Sequence, residues 1–271
     1  MHVNTHNIPI HLFTIGDSSL PRIVFLHGFL GSGSDWLQIA RQLEKHYCSI
    51  LVDLPGHGDT GISATADPSI FFTETVDTLA KELNSSTSAP CFLVGYSMGG
   101  RIALSLVLRH PELFIKAIIV SASPGLRTEQ ERSLRRKNDE GIARKIEKNF
   151  EGFIEAWYNQ QLFSTLKKHP LFKEIERERK INNPRNLAVA LRVMGTGRQP
   201  PLWETLKKNN IPIRFFAGEK DEKYVEIGFQ MVKLCPESDL EIFSNCGHTL
   251  QFENRKLFLD RLQYFFNQQE K

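Results

Sequence analysis

The stretch that most constrains this chain is Cys91-Phe92-Leu93-Val94-Gly95-Tyr96-Ser97-Met98-Gly99-Gly100. A short apolar run rich in strand formers ends in Gly-x-Ser-x-Gly, and Arg101 to Leu108 continues with a helical pattern. Strand, tight turn and helix in that order form the setting in which a serine becomes an exposed nucleophile. Gly95 and Gly99 allow strand and helix to approach where a Cβ would clash. The turn lifts Ser97 to the amino end of a helix, where backbone N–H groups can hold an oxyanion. Gly-x-Ser-x-Gly alone occurs by chance in ordinary turns; the flanking strand and helix set this one apart.

The same alternation runs through most of the chain. Ile8–Ile15 reads as an early strand. Arg22–Leu26 is a compact apolar strand running into the glycine-rich His27-Gly28-Phe29-Leu30-Gly31 loop, and Ser34-Asp35 offers an N-cap for a helix through Trp36, Ile39 and Leu43. Cys48–Val52 is the next strand and leads into Asp53-Leu54-Pro55-Gly56-His57-Gly58. Phe71–Leu83 is helical, and Ser85–Pro90 links it to the elbow strand. His110-Pro111 stops the elbow helix, and Ala117–Val120 gives another buried strand. Strands at Ile211–Ala217 and Leu240–Phe243 follow, with a helix between them through Val225, Phe229, Val232 and Leu234. An amphipathic helix through Leu257, Phe258, Leu262 and Phe265 closes the chain. Strands alternating with helices predict an α/β fold with a mostly parallel, doubly wound sheet.

Between Gly125 and Pro201 the character changes to long charged helical stretches without a strand. There 17 Lys/Arg stand against 10 Asp/Glu, an excess of seven, while the whole chain is only +3. Residues 125–205 are therefore expected to form a helical cap inserted into a core made of 1–124 and 206–271. A balanced total charge argues against a chain-wide nucleic-acid surface. Four cysteines without CxxC spacing predict buried free thiols in a reducing compartment and no metal site. Met1–His6 lacks the basic and apolar regions of a signal peptide, and no apolar run approaches the ~20 residues of a membrane span. A cytoplasmic protein with no membrane span is expected, its oligomeric state unspecified.

A serine hydroxyl needs a base, and the base needs an orienting group. In this architecture the partners follow as acid and then histidine, on loops after later strands. Asp221 and His248 each lie just past a strand and fill both places. Glu219 is a rival acid, and His27 or His57 a rival base, although both histidines are better read as shaping glycine-rich loops. The oxyanion hole would take the backbone N–H of Met98 and, from the glycine-rich loop, that of Phe29. No metal and no organic cofactor is required by this set.

Through Phe25-Leu26-His27-Gly28-Phe29, Asp53-Leu54-Pro55-Gly56-His57-Gly58, Gly95–Gly100 and Gly247-His248, the chain resembles the α/β-hydrolase superfamily over nearly its whole length. A narrower resemblance rests on Arg101 after the elbow, Ser123-Pro124-Gly125-Leu126 before an Arg-rich helix, Trp157-Tyr158, Gly195–Gln199 and Gly218–Tyr224. These pieces look like the MenH family, the 2-succinyl-6-hydroxy-2,4-cyclohexadiene-1-carboxylate synthases of menaquinone and phylloquinone biosynthesis. The resemblance implies that the triad acts as a base, driving a 2,5-elimination of pyruvate from an enolpyruvyl cyclohexene tricarboxylate. It also implies that Arg101, Arg135 and Arg179 bind carboxylates, that Trp157 lines the pocket, and that Tyr96 stands beside the nucleophile. Arg132, Arg136 and Arg177 are close enough in register to replace the cap arginines. Guanidinium groups suit such a ligand because their paired N–H donors match a carboxylate. A hydrolase of esters or of carbon–carbon bonds in vinylogous diketones shares the triad without needing three arginines. A ligand-binding receptor of the same fold would need no intact triad.

Overall fold

The computed structural model describes residues 9–86 and 90–268. Met1–His6, Ile8 at the start of the first expected strand, and residues 87–89 of the expected linker lie outside the described residues.

Among the described residues seven strands make one sheet: β1 (Leu12–Ile15), β2 (Arg22–Leu26), β3 (Cys48–Val52), β4 (Cys91–Tyr96), β5 (Phe114–Val120), β6 (Ile213–Gly218) and β7 (Ser238–Phe243). Their order is β1-β3-β2-β4-β5-β6-β7, with β1 antiparallel to β3 and every other pair parallel. The expected α/β sheet, mostly parallel and doubly wound, is therefore present. The central strands are buried on both faces, which is why they read as continuous apolar runs. Helices α1 (Leu37–Leu43), α2 (Phe71–Ser86), α3 (Met98–Arg109), α9 (Glu222–Val232), α10 (Leu250–Glu253) and α11 (Arg255–Asn267) accompany the sheet. On one face Trp36, Ile39, Leu43, Phe258 and Leu262 close over Phe25 and Phe216; on the other Val76, Leu79, Ile102 and Leu106 close over Val24 and Leu93. Truncating one of these fully buried rings, such as Phe258, to alanine should cost about 3–5 kcal/mol.

Between β5 and β6 lie α4 (Glu129–Lys148), α5 (Phe150–Tyr158), α6 (Phe172–Arg179), α7 (Pro184–Met194) and the single-turn α8 (Trp203–Leu206). Thr128 and Glu131 start α4 with a reciprocal capping box. The first four of these helices build a core of their own from Ile146, Phe153, Tyr158, Phe172 and Leu187, with Leu30 and Phe252 from below. Helix α7 belongs to both cores: Leu187, Ala188 and Leu191 face its companions, while Ala190, Val193 and Met194 pack with α2 and α3. Leu202, Trp203 and Leu206 also pack into the sheet-side core.

Two local expectations are corrected. Ser34-Asp35 does not cap a helix: Gly33–Trp36 forms a 3₁₀ turn without a side-chain cap, and the Asp35 carboxylate is drawn into a distant ion pair. Phe229 does not join the buried face of α9, whose inner surface is Gly228 and Met231. All four cysteines are free and buried.

Candidate active site

The sheet changes winding direction between β2 and β4, and loops at the carboxyl ends of those two strands meet there. Ser97 sits at φ 52°, a conformation L residues rarely adopt, and its N–H donates to Val120 O at 2.9 Å. The turn is possible because Gly99 approaches the neighbouring loop: its N–H donates to His27 O at 3.0 Å, and a Cβ there would lie 2.5 Å from that oxygen.

His248 Nε2 lies 3.0 Å from Ser97 Oγ, and Nδ1 lies 2.7 Å from Asp221 Oδ2. With Nδ1–H donating to the carboxylate, Nε2 is the acceptor for the serine proton. Asp221 and His248 are both buried. The rival acid Glu219 is turned away, accepting the Asn245 N–H and pairing with Lys220. The rival bases are structural. His27 Nε2 accepts the Leu54 N–H while Nδ1–H donates to Gly28 O; burial pushes this ring's pKa down to about 4. His57 donates from Nδ1 to Pro55 O, and burial pushes it down to about 3. Its ring lies edge-on to Phe29, 5.6 Å between centres, supporting the glycine-rich loop from behind. Among the described residues, neither the Phe29 nor the Met98 backbone N–H has an acceptor within the protein.

Above Ser97 lies a cavity of about 260 Å³. Phe29, Tyr96, Met98, Arg101, Arg135, Trp157 and Arg179 all border it, together with Ser97 and His248. Arg132, Arg136 and Arg177 do not: Arg132 and Arg136 pair with Glu129, and Arg177 is exposed.

The three cavity arginines are held differently. Arg101, 8% exposed, donates to Met194 O at 2.9 Å and to Gln199 Oε1, both neutral. Burial first, then the charge of Arg135, lowers its pKa to about 10, so it stays protonated at neutral pH. Arg135 donates from Nε to the buried Asp139 at 2.7 Å. Burial raises the Asp139 pKa against the opposing pull of Arg135. Arg179 donates from both terminal nitrogens to Asp35, at 2.6 and 2.9 Å, and from Nε to Tyr158. Burial, the largest single influence, lowers its pKa, but the charges and hydrogen bonds of Asp35 and Tyr158 together outweigh it and the net shift is upward. Asn182 adds a second tie, donating to Leu30 O at 2.9 Å, so the end of α6 is fastened to the His27–Gly31 loop. Tyr96 and Tyr224 flank His248, and burial raises both phenols above their ordinary value.

Asp35, Asp139, Gln199, Tyr224 and Lys223 also border the cavity or hold its arginines, and none was expected there. The i,i+4 spacing of Arg135 and Asp139 was a visible signal for one of them; Asp35 and Gln199 act only through contacts distant in sequence.

The family model described as the alpha/beta hydrolase fold matches residues 21–255. The chain belongs to the α/β-hydrolase fold family. It is 34% identical over 246 residues to a putative 2-succinyl-6-hydroxy-2,4-cyclohexadiene-1-carboxylate synthase of Bacillus subtilis, covering 90% of this chain and 89% of that protein. It is 32% identical over 266 residues to the chloroplastic protein PHYLLO of Arabidopsis thaliana, covering 92% of this chain but only 15% of that much longer protein. The solved structure of MenH from S. aureus superposes with a TM-score of 0.89 at 30% identity, covering 96% of this chain and 98% of that one. Within the α/β-hydrolase fold family this is a MenH-like enzyme. A MenH-like enzyme with this cavity offers a serine–histidine pair under arginines, an arrangement suited to moving a proton on a small anionic molecule.

Proposed function

We propose that this enzyme eliminates pyruvate from 2-succinyl-5-enolpyruvyl-6-hydroxy-3-cyclohexene-1-carboxylate to give 2-succinyl-6-hydroxy-2,4-cyclohexadiene-1-carboxylate, a step of menaquinone or phylloquinone biosynthesis. The observation that carries the reading is the hydrogen-bonded Ser97–His248–Asp221 set beside a cavity that Arg101 and Arg135 also border. Residues 125–205 serve as the cap that supplies Arg135, Arg179 and Trp157 to it. The similarity to 2-succinyl-6-hydroxy-2,4-cyclohexadiene-1-carboxylate synthases supports the same product.

His248, oriented by Asp221, withdraws the Ser97 proton, and Ser97 Oγ takes the acidic ring proton α to the succinyl carbonyl. The electron pair passes through the ring alkene to form the 2,4-diene and breaks the carbon–oxygen bond to the enolpyruvyl group. Pyruvate leaves as its enolate and is protonated. Charge rising on the succinyl carbonyl oxygen is met by the Phe29 and Met98 N–H groups. Arg101 and Arg135 hold carboxylates, and Arg179, already matched by Asp35, contributes donors without net charge. Tyr96 and Trp157 wall the ring. Orientation supplies much of the acceleration, because the reacting proton must stay within hydrogen-bond reach of Ser97.

The purified protein should release pyruvate from the enolpyruvyl substrate, followed with lactate dehydrogenase. Ser97→Ala should abolish that release; turnover like wild type would sink the mechanism. A p-nitrophenyl ester assayed alongside separates this lyase from an ester hydrolase sharing the same triad.

A further inference from the structure

We propose that Lys223 is a specificity-determining residue: the cation at the mouth of the cavity that receives one of the substrate's carboxylates. The proposal deepens the tricarboxylate reading above and rests on it. Four cationic side chains border the cavity: Arg101, Arg135, Arg179 and Lys223. Two are neutralised within the protein. Arg179 faces Asp35 across a buried bidentate pair, its side chain 6% exposed and that of Asp35 5%. Arg135 faces Asp139, itself buried. The positive charge left over belongs to the other two. Arg101 touches only neutral oxygens, and Lys223 has no ion-pair partner among the described residues. The Lys223 ammonium lies 5.6 Å from the Tyr224 ring centre, on the helix that begins beside the catalytic acid.

A trianion entering this cavity meets two compensated arginines and two uncompensated cations, one deep and one at the rim. The rim cation is placed against its own helix. Lys223 is the second residue of α9, where the helix dipole favours anions and disfavours cations, so local stability does not explain a lysine there. The helix end itself already carries Asp221 and Glu222, and a bound carboxylate supplies the counter-charge that the ammonium lacks. A lysine suits that place, because a point charge on a flexible four-carbon stem can follow a carboxylate on a rotating side chain. Arg101 thus grips the buried carboxylate and Lys223 the outer one.

The test uses the full chain with Lys223→Gln, Lys223→Arg and Lys223→Glu, measuring steady-state pyruvate release at low and high ionic strength. Substrate binding is measured by titration calorimetry in a Ser97→Ala background with and without Lys223→Gln. Lys223→Gln should raise KM and the dissociation constant about tenfold, the larger part of the loss falling on KM. Lys223→Glu should raise them further, Lys223→Arg should restore most of the binding, and the salt dependence of kcat/KM should flatten in Lys223→Gln. If wild type turns over and Lys223→Gln matches it in KM and salt dependence, the role of Lys223 alone is overturned. If wild type neither releases pyruvate nor the Ser97→Ala protein binds the substrate, the tricarboxylate reading falls and takes this role with it.

Discussion

Asp35→Ala tests how the α4–α8 segment is fastened to the site. The carboxylate and the Arg179 guanidinium share two hydrogen bonds of 2.6 and 2.9 Å, and both side chains are almost wholly removed from water. At an exposed position such a pair would be worth ~0–1 kcal/mol. Here the removal of one partner leaves a buried cation without its counter-charge, which costs about 3–5 kcal/mol. For a chain of this size that lowers the melting temperature by roughly 6–20 °C, at about 2–4 °C per kcal/mol. Replacing both partners by apolar residues of similar volume, Asp35→Leu with Arg179→Met, removes the stranded charge and should recover most of the loss. The assay is urea denaturation of wild type, both single variants and the double variant, closed as a thermodynamic cycle. A coupling energy of at least ~2 kcal/mol is expected. A loss below ~1 kcal/mol for Asp35→Ala, or strict additivity in the double variant, would refute the claim that this pair is desolvated and joins α6 to the segment after β2.

Other outcomes follow from the same geometry. Arg101→Ala should lower kcat/KM on the tricarboxylate substrate by about 30-fold or more, since a buried charged donor is lost, and an unchanged value would remove Arg101 from the site. Gly99→Ala would place a Cβ 2.5 Å from the His27 and Leu26 carbonyl oxygens; it should destabilise by about 3 kcal/mol and abolish turnover, read by thermal melting and pyruvate release. His27 and His57 are held neutral with pKa values of about 4 and about 3 against 6.5 when unfolded. The unfolded chain therefore binds more protons below pH 6.5, so the stability these rings contribute is full above that pH and is lost as pH falls toward 4 and 3. Each contributes a slope of about 1.4 kcal/mol per pH unit, and a urea midpoint constant between pH 7 and 5 would contradict their neutral burial. Thr128→Ala should cost about 1 kcal/mol through the capping box of α4 and leave kcat/KM near wild type, measured by urea denaturation and pyruvate release.

Much of the fold was legible because parallel strands buried on both faces announce themselves as apolar runs. Arg22–Leu26 and Cys48–Val52 were bounded correctly for that reason. β5 begins earlier than its apolar run suggests, at Phe114, because Lys116 is buried within the strand rather than ending it. The contacts among Ser97, Asp221 and His248 were foreseeable because each residue follows a strand in a fixed topological order. What sequence could not supply was the pairing of charges. Asp35 looks like a capping residue, and a cap is worth about 1 kcal/mol. A bidentate guanidinium arriving from a residue 144 positions away outcompetes it, and no local pattern records that arrival. The excess of seven Lys/Arg over Asp/Glu between Gly125 and Pro201 was sound as composition but silent on which arginines Asp139, Glu129, Glu140 and Glu147 match.

The chain order of the sheet also gives the site a position in time. Ser97 and the oxyanion loop belong to β2 and β4, whereas Asp221 and His248 follow β6 and β7, which join one edge of the sheet only after α4–α8 have been made. His248 leaves the ribosome 151 residues after Ser97, which at about 5–20 residues per second is roughly 8–30 s later. Throughout that interval Ser97 has neither of the two side chains that it is joined to in the finished fold. On the proposed mechanism, recovery of pyruvate release during refolding would time the closing of the β6–β7 edge.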